Sequence, residues 1–131
     1  MIRGVGLDLV DVASFREQLA QPGSVFAEGT FTPAERREAD ARPDHDPARH
    51  LAARFAAKEA FVKAWSGAAF GRTPQLAGVD LREVELQSDG YGRPAIQLHG
   101  ELAARVGDLR VLVSLSHEGS MAAAVVVIED G

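Results

Sequence analysis

Cysteine is absent from all 131 residues, which excludes a disulfide framework, a thiolate metal site and a thiol nucleophile. No run approaches the ~20 apolar residues of a membrane span. The opening residues lack the basic-then-apolar order of an export signal. A soluble, cytoplasmic protein is expected, a setting that suits the missing cysteine. Positive charge is also short: 14 Lys and Arg stand against 19 Asp and Glu, a formal net charge of −5. That balance argues against general nucleic-acid binding, which leans on a basic surface. Any polyanion recognised here must be met by a local cluster of cations. Linkers, repeats and low-complexity tracts are lacking too, so residues 1–131 are expected to form one domain with its own core.

What is present reads as an α+β chain. Ile2 to Val12 alternates as a strand, with Val5, Leu7 and Leu9 on one face and Gly4, Gly6, Asp8 and Val10 on the other. Gly6 is expected to leave open space beside the Asp8 carboxylate. Ala13 to Ala20 reads as a helix. Thr32-Pro33-Ala34-Glu35 has the order of a capping box with proline at the first helical position. Asp46-Pro47 opens a long helix that should stop at Gly67. An irregular loop to Gly78 follows, then a strand over Leu81 to Leu86, a turn through Ser88 to Pro94 and a partner strand over Ala95 to His99. Glu101 to Val106 is a short helix. Strands over Arg110 to Ser116 and Met121 to Ile128 are joined through His117 to Ser120. Hairpins in place of crossovers predict a largely antiparallel sheet around a long buried helix.

The long helix raises a question of charge. At about 100° per residue, Leu51, Phe55, Phe61, Val62 and Trp65 form a bulky stripe, and Ala53, Ala56, Ala57, Ala60 and Ala64 cover the opposite side. A helix apolar on both sides is a buried one. Yet Lys58 lies in the middle of the bulky stripe with Arg54 beside it, and Glu59 and Lys63 run along the flank. A cation buried without a partner costs several kcal/mol. Either the two long stems snorkel to water or an anion comes to them. Arginine suits a phosphate through its fork, lysine as a point charge. Asp8 and Glu59 add two hard oxygen ligands from separate elements, a set that Mg²⁺ accepts when waters and substrate phosphates complete its shell. Each also has a plainer reading, Asp8 on a solvated strand face and Glu59 paired with Lys63 at i+4. His117 closes a strand end, where ligand contacts are often placed. His45 is explained by the Asp46-Pro47 cap, His50 and His99 have no evident partner, and Glu35 is foremost a cap.

In order along the chain stand Gly4-Val5-Gly6-Leu7-Asp8-Leu9-Val10, Phe31-Thr32 with Glu35, Arg54-Phe55-Ala56-Ala57-Lys58-Glu59-Ala60-Phe61 with Lys63-Ala64, Gly92-Arg93-Pro94, and Ser114-Leu115-Ser116-His117. This ordered set resembles the holo-acyl-carrier-protein synthase type of 4′-phosphopantetheinyl transferase over nearly the whole chain. The resemblance implies that fold and a CoA-dependent transfer. A serine hydroxyl of an acyl carrier protein, of fatty-acid or polyketide type, attacks the β-phosphate of CoA and releases 3′,5′-ADP. It implies Asp8 and Glu59 as Mg²⁺ ligands and, with Lys58 near the pyrophosphate, as catalytic residues. It implies Arg54, Lys63 and His117 near the nucleotide's phosphates, Gly92-Arg93-Pro94 near the adenosine, and Ser116 as a further CoA-binding residue. It further implies a homotrimer with active sites between subunits, which would bury the long helix further.

One departure concerns the carrier. The family often has several basic residues just after the first strand, where an acidic carrier helix docks; here Arg16 stands almost alone, with Arg36 and Arg37 as possible compensation. A polyketide carrier is therefore a rival to the fatty-acid one. The alternatives to the transferase reading are another Mg²⁺-dependent pyrophosphate-cleaving enzyme and a non-catalytic CoA- or nucleotide-binding module. The residue that takes the serine proton, Glu59, Glu35 or a metal-bound water, is left open by the spacing.

Overall fold

A single long helix, α4 (Pro47–Gly67), organises the molecule. It starts where Asp46 accepts a hydrogen bond from the Arg49 amide and Pro47 occupies the first turn. In the computed structural model, which describes residues 1–74 and 76–131, it is preceded by β1 (Ile2–Asp11), α1 (Val12–Ala20), α2 (Phe26–Thr30) and α3 (Pro33–Asp40). It is followed by a 3-10 turn (Leu81–Glu83), β2 (Val84–Ser88), β3 (Pro94–Leu98), α5 (Gly100–Val106), β4 (Arg110–Glu118) and β5 (Met121–Glu129). Every strand pair is antiparallel: β1-β5-β4 form one sheet and β2-β3 a second. The expected α+β class with an antiparallel sheet is what the chain adopts.

The alanine side of α4 lies on the three-stranded sheet, and Ala52, Ala53, Ala56, Ala57, Ala60 and Ala64 have no exposed surface. Gly4 and Gly6 of β1 make that approach possible. A Cβ on Gly6 would run into the Ala60 carbonyl oxygen, and one on Gly4 into that of Ala64. Gly6 therefore does not leave space beside Asp8, as its sequence position suggested; the helix backbone fills it. The bulky side of α4 meets α1, α3 and β2, and Phe15, Phe26, Phe31 and Phe55 gather there with ring centroids 5.5–6.4 Å apart. The helix is thus buried on both sides within one chain.

The far face of the three-stranded sheet is what lies open. Val5 (64%), Leu7 (58%) and Leu9 (63%) on β1 are exposed, and pairing sets them beside Val127, Val125 and Ala123, then Leu112, Ser114 and Ser116. Two sequence expectations shift. The segment from Leu81 begins as a 3-10 turn, because Asp80 takes the Arg82 amide and caps it, so the strand starts only at Val84. The last hairpin turns tightly at Gly119-Ser120, which leaves His117 and Glu118 inside β4.

Candidate active site

Asp8 and Glu59 line one open recess between β1, α1 and α4. Asp8 points toward α4 because it shares the inward face of β1 with Gly6, and Glu59 sits on the flank of α4 that this face meets. Lys63, one turn on from Glu59, donates to the Asp8 carboxylate at 3.0 Å and to the Leu7 carbonyl at 3.0 Å. Phe15 and Phe55 contribute apolar wall, and Asp11, Ser14 and Gln18 the rim. Burial pushes the Glu59 carboxyl above the usual range, and the Asp8 charge adds to that, opposed by Lys63. Two like charges facing one recess favour a cation between them. The donor set, hard carboxylate oxygens with room for other ligands, fits Mg²⁺ better than a metal that wants imidazole or thiolate. Among the described residues no group of three or more His, Cys, Asp or Glu could cage an ion.

Lys58 lies elsewhere and in a different state. Its ammonium is 0% exposed and contacts the Glu35 carboxylate at 2.9 Å and the carbonyls of Leu81 and Val84 at 2.7 Å each. Three donors meet three acceptors, so nothing is left for a ligand. Glu35 is as fully used: it accepts from the Thr32 amide, completing the expected capping box, and from the Leu86 amide at 2.8 Å. The sequence expectation placed a pyrophosphate at Lys58 and named Glu35 among the candidate bases; in this arrangement the two groups are each other's partners. The pair instead fastens α4 to α3 and to the start of β2. Burial pushes the Lys58 ammonium below the usual lysine range, and the Glu35 charge opposes that.

The remaining candidates fall into two further groups. Arg54, on the bulky side of α4, donates to Ser88 at 3.4 Å and stands 4.0 Å from Glu38. Ser88 begins the turn that carries Gly92, Arg93 and Pro94. Gly92 takes a positive φ of 80°, and Arg93 is held by Asp89 at 2.6 Å with its guanidinium over the Tyr91 ring. Ser116 and His117 lie on β4, across β5 from Leu9 and Val10, and His117 pairs through Nδ1 with Arg49 at 2.8 Å. Among the described residues no hydrogen bond or ion pair joins either group to Asp8, Glu59 and Lys63. One chain therefore assembles a carboxylate recess and leaves two sets of cations on other surfaces.

Sequence reasoning overlooked Asp11, Ser14 and Gln18 on the rim. Asp11 caps α1 by accepting from the Ser14 amide and hydroxyl, and an Asp three residues before Ser at a strand–helix junction is a readable signal for that cap. The histidines thought partnerless have neighbours: His99 meets Glu85 at 3.1 Å, and buried His50 lies 4.0 Å from Glu38. Arg16 is held by Asp46 at 2.9 Å, so even this lone α1 cation is neutralised.

The chain is similar to known proteins over nearly its whole length. The sequence pattern of the 4′-phosphopantetheinyl transferase superfamily matches residues 4–126. A holo-[acyl-carrier-protein] synthase of Mycobacterium sp. (strain KMS) is 52% identical over 129 residues, covering 98% of both chains. Among solved structures, the ACPS–CoA complex of Chronobacterium ammoniagenes superposes with a TM-score of 0.90 at 44% identity, over 97% of this chain and 96% of that one. The acyl carrier protein synthase of Mycobacterium tuberculosis does so with a TM-score of 0.81 at 44% identity, over the full length of both.

Proposed function

Because the chain belongs to the 4′-phosphopantetheinyl transferase superfamily, we infer that it works as a holo-acyl-carrier-protein synthase and moves 4′-phosphopantetheine from CoA to a carrier serine. The serine oxygen bonds to the β-phosphorus of CoA, the bond from that phosphorus to the bridging oxygen breaks, and 3′,5′-ADP leaves. The observation that carries the reading is the recess lined by Asp8 and Glu59, with Lys63 bonded to Asp8, in a chain with the motifs of this family throughout. Asp8 and Glu59 would hold Mg²⁺, which would offset charge on the phosphates. Lys63 offers a half-exposed cation beside Asp8, where developing charge on the leaving phosphate is stabilised. Lys58 contributes by position, holding the helix that carries Glu59.

Arg54, Gly92-Arg93-Pro94, Ser116 and His117 serve the nucleotide end of CoA in an assembly of copies. A homotrimer is supported by the open apolar sheet face of Val5, Leu7, Leu9 and Leu112, a surface of the kind monomers seldom leave uncovered. This face, and not the already buried long helix, is what association would cover. Among the described residues no helix is long and apolar enough to cross a membrane, and residues 1–131 act as one domain with CoA and carrier protein in the cytoplasm.

Incubation with apo carrier, CoA and Mg²⁺ tests the reading by intact mass. A Mg²⁺-dependent gain of about 340 Da, one phosphopantetheine, is expected and is lost with EDTA. No gain with fatty-acid or polyketide carriers would refute it.

A further inference from the structure

The inward positions of β1 are Gly4, Gly6, Asp8 and Val10, paired with Ile128, Val126, Ala124 and Ala122 of β5. Helix α4 crosses them antiparallel to the strand, with the backbone of Ala60 over Gly6 and that of Ala64 over Gly4. The three nearest neighbours of a Cβ on Gly6 would be the Ala60 carbonyl oxygen and carbon and the Ala64 nitrogen. All three are backbone atoms, so no side chain could turn aside to make room. The closest approach of α4 to β1 is therefore set at Gly6. On the other side of the helix the Lys58–Glu35 pair fastens it at 2.9 Å.

This contact adjoins both carboxylates of the recess. Glu59 immediately precedes Ala60, and Asp8 is the next inward residue after Gly6, ~6.7 Å along the strand. Helical side chains lean toward the N-terminus, which carries the Glu59 carboxyl from the level of Gly6 toward that of Asp8. Lys63, just before Ala64, leans the same way and reaches Asp8 at 3.0 Å. Asp8 and Glu59 line the one recess, and burial, then the Asp8 charge, raises the Glu59 carboxyl. A retreat of α4 from β1 at Gly6 would widen the span between the two carboxylates.

That span bears on which cation is held. Mg²⁺ takes oxygens at about 2.0–2.1 Å in near-ideal octahedral order, whereas Ca²⁺ accepts about 2.3–2.6 Å in a looser shell. Across a pair of ligands the two ions differ by roughly 0.5–1 Å. A Cβ on Gly6 needs roughly 1 Å of retreat to reach ordinary contact distance, a displacement of the same size. We propose that Gly6 is a positioning residue that determines metal choice: by letting the Ala60 carbonyl rest on β1, it fixes the Asp8–Glu59 span at one that a small octahedral cation bridges, so that the site selects Mg²⁺ over Ca²⁺. The inference rests on the transferase reading and on Asp8 and Glu59 as its metal ligands. Gly6 touches neither metal nor substrate and acts through the helix backbone.

The test reads the Kd of Mg²⁺ and of Ca²⁺ by calorimetry on the full chain with saturating CoA and no carrier, so that nothing turns over. The wild type is expected to bind Mg²⁺ more tightly than Ca²⁺. Gly6→Ala should weaken Mg²⁺ about tenfold and Ca²⁺ less than about threefold. Asp8→Glu added to Gly6→Ala lengthens one ligand by a methylene and should recover most of the Mg²⁺ loss. A glycine that serves stability alone gives neither the change of ratio nor the rescue. Should Gly6→Ala not fold, Glu59→Asp decides the matter, because it opens the same span by one methylene and leaves the helix–strand contact intact. The same shift toward Ca²⁺ is expected from it. Equal losses for the two ions in the variant that folds, or no rescue by Asp8→Glu, would overturn the proposal. If the wild type binds CoA but neither ion, the metal site of the transferase reading falls first, and this inference with it.

Discussion

Helix α4 carries two lysines five residues apart, each about 3 Å from a carboxylate, in opposite circumstances. Lys58 and Glu35 are 2.9 Å apart with side chains 0% and 1% exposed; Lys63 and Asp8 are 3.0 Å apart with side chains 55% and 17% exposed. In the first pair every proton and carboxylate oxygen is spoken for, by Leu81, Val84, Thr32 and Leu86. In the second, water reaches both partners and Glu59 stands close enough for Asp8 to raise its carboxyl. A contact distance therefore says little about role. The closed pair has no donor left for a ligand and works as a fastening. The open pair is reached by solvent, and its groups remain accessible to a ligand.

Mutations separate the two. The largest effect is expected from Lys58→Met, which strands the Glu35 carboxylate in the core at a cost of roughly 3–5 kcal/mol. Thermal denaturation should show Tm lowered by ~10 °C or more, and Glu35→Gln added to it should restore part of that loss. An unchanged Tm would mean that the closed pair fastens nothing. Asp8→Ala should do the reverse: transfer falls at least ~100-fold and Mg²⁺ no longer stimulates it, while Tm stays close to wild type.

The closed side also predicts a pH dependence. Burial, with Arg54 nearby, lowers the His50 pKa to about 4, against an unfolded value near 6.5. The folded state then takes up its proton later than the unfolded one. The contribution of neutral His50 is fully present above pH ~6.5 and is lost as pH falls toward 4. Tm measured across that window should decline less in His50→Leu than in the wild type; parallel curves would remove His50 from the account. The smallest change is expected from Lys63→Met. The exposed pair contributes at most ~1 kcal/mol, so chemical denaturation should barely move even as transfer falls. A large loss of stability there would erase the distinction between the two pairs.

Much of this was legible beforehand because it is local. The capping box at Thr32 and Glu35, the Asp46-Pro47 start and the two apolar sides of α4 all depend on residues within one or two turns of each other, and each formed as read. The final hairpin followed from alternation alone. The contacts that stayed unread share a longer reach. Nothing near Lys58 announces Glu35, 23 positions earlier, as its partner, and nothing near Gly6 announces the Ala60 carbonyl that crowds it. Helix α2, five residues without a side-chain cap, has too short a period to stand out.

The sequence by itself determined the class of fold, the helix that would be buried, and where the cations and carboxylates stand along it, because periodicity, capping and residue chemistry are written along the chain. Only the tertiary structure decided which cation is sealed and which is free. That choice depends on which elements pack over each side of α4, and desolvation, not residue type, makes Lys58 a fastening and leaves Lys63 open to a ligand.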